Sequence, residues 1–320
     1  MGAYARAFGP QDPDATYVAH GFAEQLCDVG EVELNYAVAG DPASPALLLI
    51  PGQTESWWGY EEALPLLAEH FHAHAVDLRG QGRSTRTPGR YTLDNIGNDL
   101  VRFIDQVIGR PTIVAGLSSG GVISAWLSAY AKPGQVVGAY YEDPPLFASQ
   151  VDPAVGHSIG QSIGPLFALM ADFLGDQWRI GDWDGLVAAV AEELPAWLGF
   201  VAGAMGVSPE PSQQLKEYDP EWGRAFSAGT VAAACDHERM LGAVKVPVLL
   251  THHFHVIDEP TGALLGALSD QQVERARQLV GATGNTFTYV PLPSVGHSLH
   301  GQDPQLYTDT LRNWTSTLAG

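Results

Sequence analysis

The chain alternates short aliphatic runs with stretches of helical periodicity, and few architectures accept that order. Residues 46–50 are all apolar, as in a strand covered by helices on both faces, and the run stops at Pro51-Gly52. Helical stretches over 61–70, 93–108 and 119–130 interleave with strand-like runs over 73–76, 112–115 and 136–141. Right-handed crossovers put such helices on both faces of a mostly parallel, doubly wound α/β sheet. Upstream, residues 22–28 and 31–38 flank Val29-Gly30 and read as a hairpin. Ligands of these sheets sit at the carboxyl ends of the strands, so chemistry is sought in the loops there.

The alternation fails over residues 144–243, which hold helical patches and frequent Gly and Pro but no strand-like run. It resumes with strands over 246–253 and 286–291 and helices over 270–280 and 304–318. The expected organisation is a sheet core of residues 1–143 and 244–320 interrupted by a helical cap of residues 144–243. With 320 residues, 45% of them hydrophobic, a core of this kind is buried without staples. The two cysteines, Cys27 and Cys235, read as buried small hydrophobes and not as a disulfide framework. The 36 acidic residues outnumber 16 basic ones, and a net charge of −20 repels phosphate backbones and anionic lipid. Neither nucleic acid nor a membrane is therefore an expected partner, whereas cap helices offer a surface on which subunits could pair. Residues 1–20 hold no apolar signal-like run, residues 47–50 are far too few to cross a bilayer, and Arg6 stands where a myristoylation signal carries Ser or Thr. A cytoplasmic location is expected.

The clearest chemical signal is Gly116-Leu117-Ser118-Ser119-Gly120, which lies between a strand and a helix in the Gly-x-Ser-x-Gly pattern of a nucleophile elbow. In so tight a turn, side chains two positions either side of the serine would collide with backbone, while the serine hydroxyl is pushed above the sheet edge. A hydroxyl is a weak nucleophile at neutral pH and needs a base, and a third group must hold that base. His297, between the last strand and the last helix, is the expected base, with His300 its competitor. Gly296 before it permits a sharp turn that aims an imidazole back at the elbow.

Together with Pro51-Gly52-Gln53 after the first buried strand and Asp77-Leu78-Arg79-Gly80-Gln81-Gly82-Arg83-Ser84 after the next, these segments resemble the α/β-hydrolases, from about residue 31 to the C-terminus. The resemblance implies an oxyanion hole made of the Ser119 and Gln53 amides, with Pro51 where histidine is frequent in the family. It implies an acid after the strand that follows the cap, where Asp258 and Glu259 lie, or one strand earlier, where Glu142 and Asp143 lie. Glu142, 24 residues after Ser118, is favoured because the zearalenone lactone hydrolases carry a glutamate there. Asp258 is the alternative acid, and Asp143 reads as a structural acceptor beside Pro144.

The implied activity is hydrolysis of a bulky apolar or aromatic ester or lactone through an acyl-enzyme, with a zearalenone-type macrolactone as the specific expectation. A carbon–carbon hydrolase of ring-fission products and a non-catalytic receptor on the same fold are the alternatives. Epoxide hydrolases and haloalkane dehalogenases need an aspartate where Ser118 stands. Gly52, Trp58 and Trp183 are the expected substrate contacts, while Asp219 and the Asp236-His237 pair read as surface or cap-hinge residues. No cofactor is expected. No metal is expected either: on a strand, His253 and His255 would share one face and His252 the other, with no carboxylate at ligand spacing. These histidines are read as hydrogen-bonding around the acid or the pocket wall.

Overall fold

Every residue of the first aliphatic run is buried. Its alternate side chains divide between two cores: Leu48 and Ile50 enter one, Leu47 and Leu49 the other, which is what an all-apolar strand requires. In the computed structural model, which describes residues 18–147, 159–260 and 262–318, this run is the third of ten strands. They are β1 (Glu24–Asp28), β2 (Glu33–Ala39), β3 (Ala46–Ile50), β4 (His72–Val76), β5 (Thr112–Leu117), β6 (Val136–Glu142), β7 (Val248–His252), β8 (Val256–Asp258), β9 (Ala263–Leu265) and β10 (Phe287–Pro291). Eight of them form one sheet in the order β1-β2-β4-β3-β5-β6-β7-β10. The β1–β2 and β2–β4 pairs are antiparallel and the rest parallel.

Helices α1 (Leu64–Ala68), α2 (Leu93–Phe103) and α3 (Ser119–Tyr130) connect the central strands. The expected 61–70 helix is shorter, because a 3₁₀ turn at Trp57–Tyr60 takes up the preceding chain and Pro65 opens α1. The expected 93–108 helix is capped by the Thr92 hydroxyl and ends as a π turn at Ile104–Ile108, closed by Gly109 at φ 67°. The ribbon of β8 and β9 has no counterpart in the sequence reading; three-residue strands are too short for an alternation to register.

Between β6 and β7 the described residues form helices α4 (Ile159–Phe173), α5 (Trp183–Glu193), α6 (Ala196–Ala204), α7 (Gln213–Lys216), α8 (Glu221–Ser227) and α9 (His237–Leu241), with one isolated bridge from Leu174 to Gly181. Polar rivets fasten this insertion to the loop after β4: Trp222 Nε1 donates to Arg79 O (2.7 Å), the Asp219 amide to Gly80 O (2.8 Å) and Gln177 Nε2 to Gly82 O (2.6 Å). Asp219 and His237, read from sequence as surface or hinge residues, are fully buried. Asp219 accepts from Arg86 (2.8 Å) and from the Tyr91 hydroxyl, and His237 Nδ1 accepts the Phe147 amide (2.7 Å). Asp219 thus ties the insertion to the loop after β4, and His237 ties the end of the insertion back to its beginning. Cys235 is buried as expected, Cys27 only partly, and both are free thiols. Helix α10 (Asp270–Ala282) follows β9, and α11 (Leu299–Gln302) and α12 (Pro304–Thr315) follow β10. Among the described residues no helix is long and apolar enough to cross a membrane.

Candidate active site

The turn between β5 and α3 bends as the Gly-x-Ser-x-Gly spacing predicts. Ser118 sits at φ 56°, ψ −122°, and its carbonyl accepts from the Gly121 and Val122 amides (2.9 and 3.2 Å) as the helix begins. A Cβ on Gly116 would lie 2.2 Å from Gly120 O, and one on Gly120 would lie 2.3 Å from Ile50 O. Both contacts are with backbone, which has nowhere to move. Gly120→Ala is therefore expected to cost about 2 kcal/mol or more, because the first turn of α3 must move off the end of β3; a urea unfolding midpoint matching the parent protein's would contradict this.

The loop after β10 brings His297 to the strand ends, and its Nδ1 lies 2.7 Å from Asp143 Oδ2. Glu142, expected to be the partner of His297, is instead bonded to His300: its Oε2 lies 2.8 Å from His300 Nδ1, and its Oε1 accepts the Leu299 and His300 amides (2.7 and 3.1 Å). The correction follows from strand parity. Glu142 is the last residue of β6 and shares the face of Tyr140, whose core contains Tyr60, Leu299 and Tyr307. Its carboxylate is delivered into that layer and pins the start of α11. Asp143 lies one residue past the strand, at φ 42°, and this left-handed turn carries its carboxylate to His297. Aspartate tolerates that conformation better than most residues, which is the one local signal for it. Asp258, the alternative acid, lies in β8 opposite Ala263, outside the main sheet.

His253 holds the two partners in register. Its backbone N–H donates to Asp143 Oδ1 (3.1 Å) and its Nδ1 lies 2.9 and 3.0 Å from the carbonyls of Gly296 and His297. This matches the reading of these histidines as hydrogen-bonding around the acid.

Across the site, the loop after β3 packs on the elbow; a Cβ on Gly52 would lie 3.4 Å from Ser118 Cβ. The Gly52 carbonyl accepts from Gln81 Nε2 (3.2 Å) and the Glu55 amide (3.4 Å), while the Gly52 N–H donates to Glu55 Oε2 (3.2 Å). In a trans peptide the Gln53 N–H points opposite to the Gly52 carbonyl. The Gln53 side chain bridges further, with Nε2 donating to Ser119 Oγ (3.3 Å) and Oε1 accepting from the Tyr218 hydroxyl (2.8 Å).

A serine elbow at the end of a central strand, with a histidine–carboxylate pair from later loops, is matched by comparison with known proteins: the family model described as "Alpha/beta hydrolase family" matches residues 47–310. The chain belongs to the α/β-hydrolase family. Epoxide hydrolase B of Mycobacterium tuberculosis is 27% identical over 172 residues, covering 51% of this α/β-hydrolase and 48% of that protein. The 3-oxoadipate enol-lactonase 2 of Acinetobacter baylyi is 28% identical over 102 residues, 31% of this chain and 38% of that one. The chain thus spans about half or less of the length of these curated relatives. Among solved structures, the enol-lactonase from Burkholderia xenovorans superposes with a TM-score of 0.65 at 18% identity, covering 91% of this chain and all of that one, a likeness of fold.

Charges in the hydrolase's site are shaped by burial and by these pairs. Burial raises the Asp143 carboxyl, but the hydrogen bond and charge of His297, with His253, outweigh it and hold the group below the usual aspartate range. Desolvation lowers His297, yet the bond and charge of Asp143, with Glu55 and Glu142 beyond, leave it above the ordinary histidine value, though the side chain is 49% exposed. Glu55 gave no sequence signal; burial pushes its carboxyl up, against the pull of His300 and the Gly52 N–H. A base must be neutral to accept a proton. The acidic limb of kcat/KM is therefore expected above about pH 6.5, and to move to lower pH in Asp143→Asn, which removes the charge that favours imidazolium. A limb that stays in place when Asp143 is neutralised would contradict the pairing.

A small apolar cavity beside the elbow, with room for about one water molecule, is lined by Leu93, Ser119, Val122, Pro145, Phe226 and Val231. Neither expected tryptophan lines it. Trp183 is buried among insertion residues with its indole N–H on Ser208 O (2.8 Å), and Trp58 donates to Glu217 Oε2 (2.9 Å) and stacks on His20. The histidine run also departs from expectation, because β7 ends at His252 and strand parity no longer applies. His252 and His255 stack at 3.7 Å and Asp270 comes within reach of both. Their ring nitrogens already meet Tyr289, Leu268 O, His253 O and Asp270, and parallel rings direct their lone pairs side by side rather than toward one point.

Proposed function

We propose that this α/β-hydrolase is a serine-dependent carboxylic ester hydrolase acting on an apolar ester or lactone. The observation that carries this reading is the His297–Asp143 pair at the same strand ends as the Ser118 elbow. In the proposed cycle His297 takes the Ser118 proton while the hydroxyl oxygen attacks the substrate carbonyl. The Ser119 N–H, at the start of α3, and the Gln53 N–H stabilise the negative charge that develops on the carbonyl oxygen. His297 returns the proton to the departing alcohol, leaving an acyl-enzyme, and then activates water for deacylation. Asp143 fixes the tautomer of His297 and stabilises the imidazolium.

The nucleophile position separates this reading from that of the epoxide hydrolase relatives. Ring opening through a covalent ester requires a carboxylate, and the chain supplies a hydroxyl. A dianionic ring-fission substrate is disfavoured because the insertion's three arginines do not face the elbow cavity: Arg179 is exposed, Arg224, also exposed, is paired with Glu221 and Asp172, and Arg239 donates to Ala234 O. The side chains beside the elbow, Leu93, Val122, Phe226 and Val231 among them, are apolar and offer no partner to a charged acyl or alcohol group. A resorcylic macrolactone of the zearalenone type is the finer proposal, in which the released alcohol stays tethered to the acyl group and must be housed beneath the insertion. Incubating the protein with p-nitrophenyl esters, a macrolactone and a styrene-type epoxide, read by mass change, tests the reading. A gain of one water by ester or lactone with the epoxide untouched supports it; turnover of the epoxide alone overturns it.

A further inference from the structure

Segment 216–219 of the insertion grips the loop that carries Gln53. Glu217 is 2% exposed and takes three donors: Trp58 Nε1 (2.9 Å), Gln213 Nε2 (2.8 Å) and the Ser56 hydroxyl. Next to it, the buried Tyr218 donates its hydroxyl to Gln53 Oε1, and Gln53 Nε2 reaches Ser119 Oγ. One hydrogen-bonded line therefore runs from the insertion through Gln53 to Ser119, the two residues whose backbone amides face the reacting carbonyl in the proposed cycle. A side-chain amide has a fixed distance between its oxygen and nitrogen, so a donor holding the oxygen also fixes where the nitrogen points. Thr54, beside Gln53, has φ 63°, a left-handed conformation that a threonine keeps only when its surroundings impose it.

Resting on the serine-hydrolase reading, we propose that Tyr218 is a positioning residue that couples the helical insertion to the oxyanion hole through the Gln53 side chain. Its hydroxyl does not touch the substrate. It holds Gln53 against Ser119 so that the spacing of the two amides matches a tetrahedral oxyanion before substrate arrives, and this insertion segment thereby sets turnover rather than binding.

The test is Tyr218→Phe, Gln53→Met and the double variant, each checked for an unchanged melting curve, with hydrolysis of a p-nitrophenyl ester and inhibition by phenylboronic acid, which forms a tetrahedral adduct on an active serine. Every variant keeps both backbone amides. Tyr218→Phe is expected to lower kcat roughly ten- to hundredfold with KM within about twofold, and to weaken boronate inhibition by a similar factor. The double variant should be no worse than the poorer single one, since both break the same line. An unchanged kcat, a change confined to KM, or additive losses overturn the proposal. If the parent protein hydrolyses no ester and binds no boronate, the underlying reading fails instead, and the two failures are distinguished by that control.

Discussion

Replacing Ser118 by alanine will lower ester hydrolysis by roughly a thousandfold or more while leaving the fold intact. In the proposed cycle the hydroxyl oxygen forms the acyl bond, and its neighbours do not depend on it. Ser118 contributes its amide to Glu142 O (2.8 Å) and its carbonyl to the first turn of α3, both of which alanine keeps. The cost on the stability side is small: alanine at φ 56° suffers the same backbone strain as serine. Steady-state rates with a p-nitrophenyl ester beside a urea melt check both halves. A variant that retains more than about a tenth of the parent rate would remove Ser118 from the chemistry.

The second large effect separates two adjacent carboxylates. Asp143→Asn is expected to reduce kcat/KM by roughly a thousand- to ten-thousandfold, because an amide in that place can present its NH2 to His297 Nδ1 and favour the wrong tautomer. Glu142→Gln is expected to cost less than about tenfold in rate but roughly 1–3 kcal/mol in stability. Glu142 is fully buried, and its carboxylate serves two amides of the turn after His297 together with His300, which itself stacks on Tyr60 with ring centroids 4.0 Å apart. Stability follows the same charges. The Asp143 contribution is present above the unfolded aspartate pKa, near 3.9, and is lost as pH falls through its lower folded value. The His297 contribution has the opposite sense, present below the unfolded histidine value and lost as pH rises through its higher folded one. The reverse ranking of the two variants, with Glu142→Gln the inactive one, would restore the sequence-based assignment.

The layered sheet, the sharp turn at Ser118 and the place of His297 were legible because each is written in local pattern. Apolar runs such as Ala46–Ile50 have no other economical use, Gly116 and Gly120 are demanded by backbone two residues from Ser118, and His297 follows the last strand. Which carboxylate meets His297 was not legible, because Glu142 and Asp143 differ by one position and the outcome turns on where β6 ends. Strand termini are set by the partners available, here the Thr251 carbonyl accepting the Asp143 amide (3.0 Å), which no local pattern encodes. The role of a tryptophan is hard to read for a related reason: an indole fills a core as readily as a pocket, and Trp183 donates to Ser208 O within the insertion. Tyr218 carried no signal at all, since its partner lies 165 residues away in sequence.

In the proposed cycle Ser118 is made nucleophilic by the His297–Asp143 pair. The most direct test of this is the rate of labelling by a fluorophosphonate, with the adduct located by tandem mass spectrometry. One adduct is expected, on Ser118, forming at near-parent rate in Glu142→Gln and roughly a thousandfold more slowly in Asp143→Asn. An adduct elsewhere, or equal rates in the two variants, would contradict it.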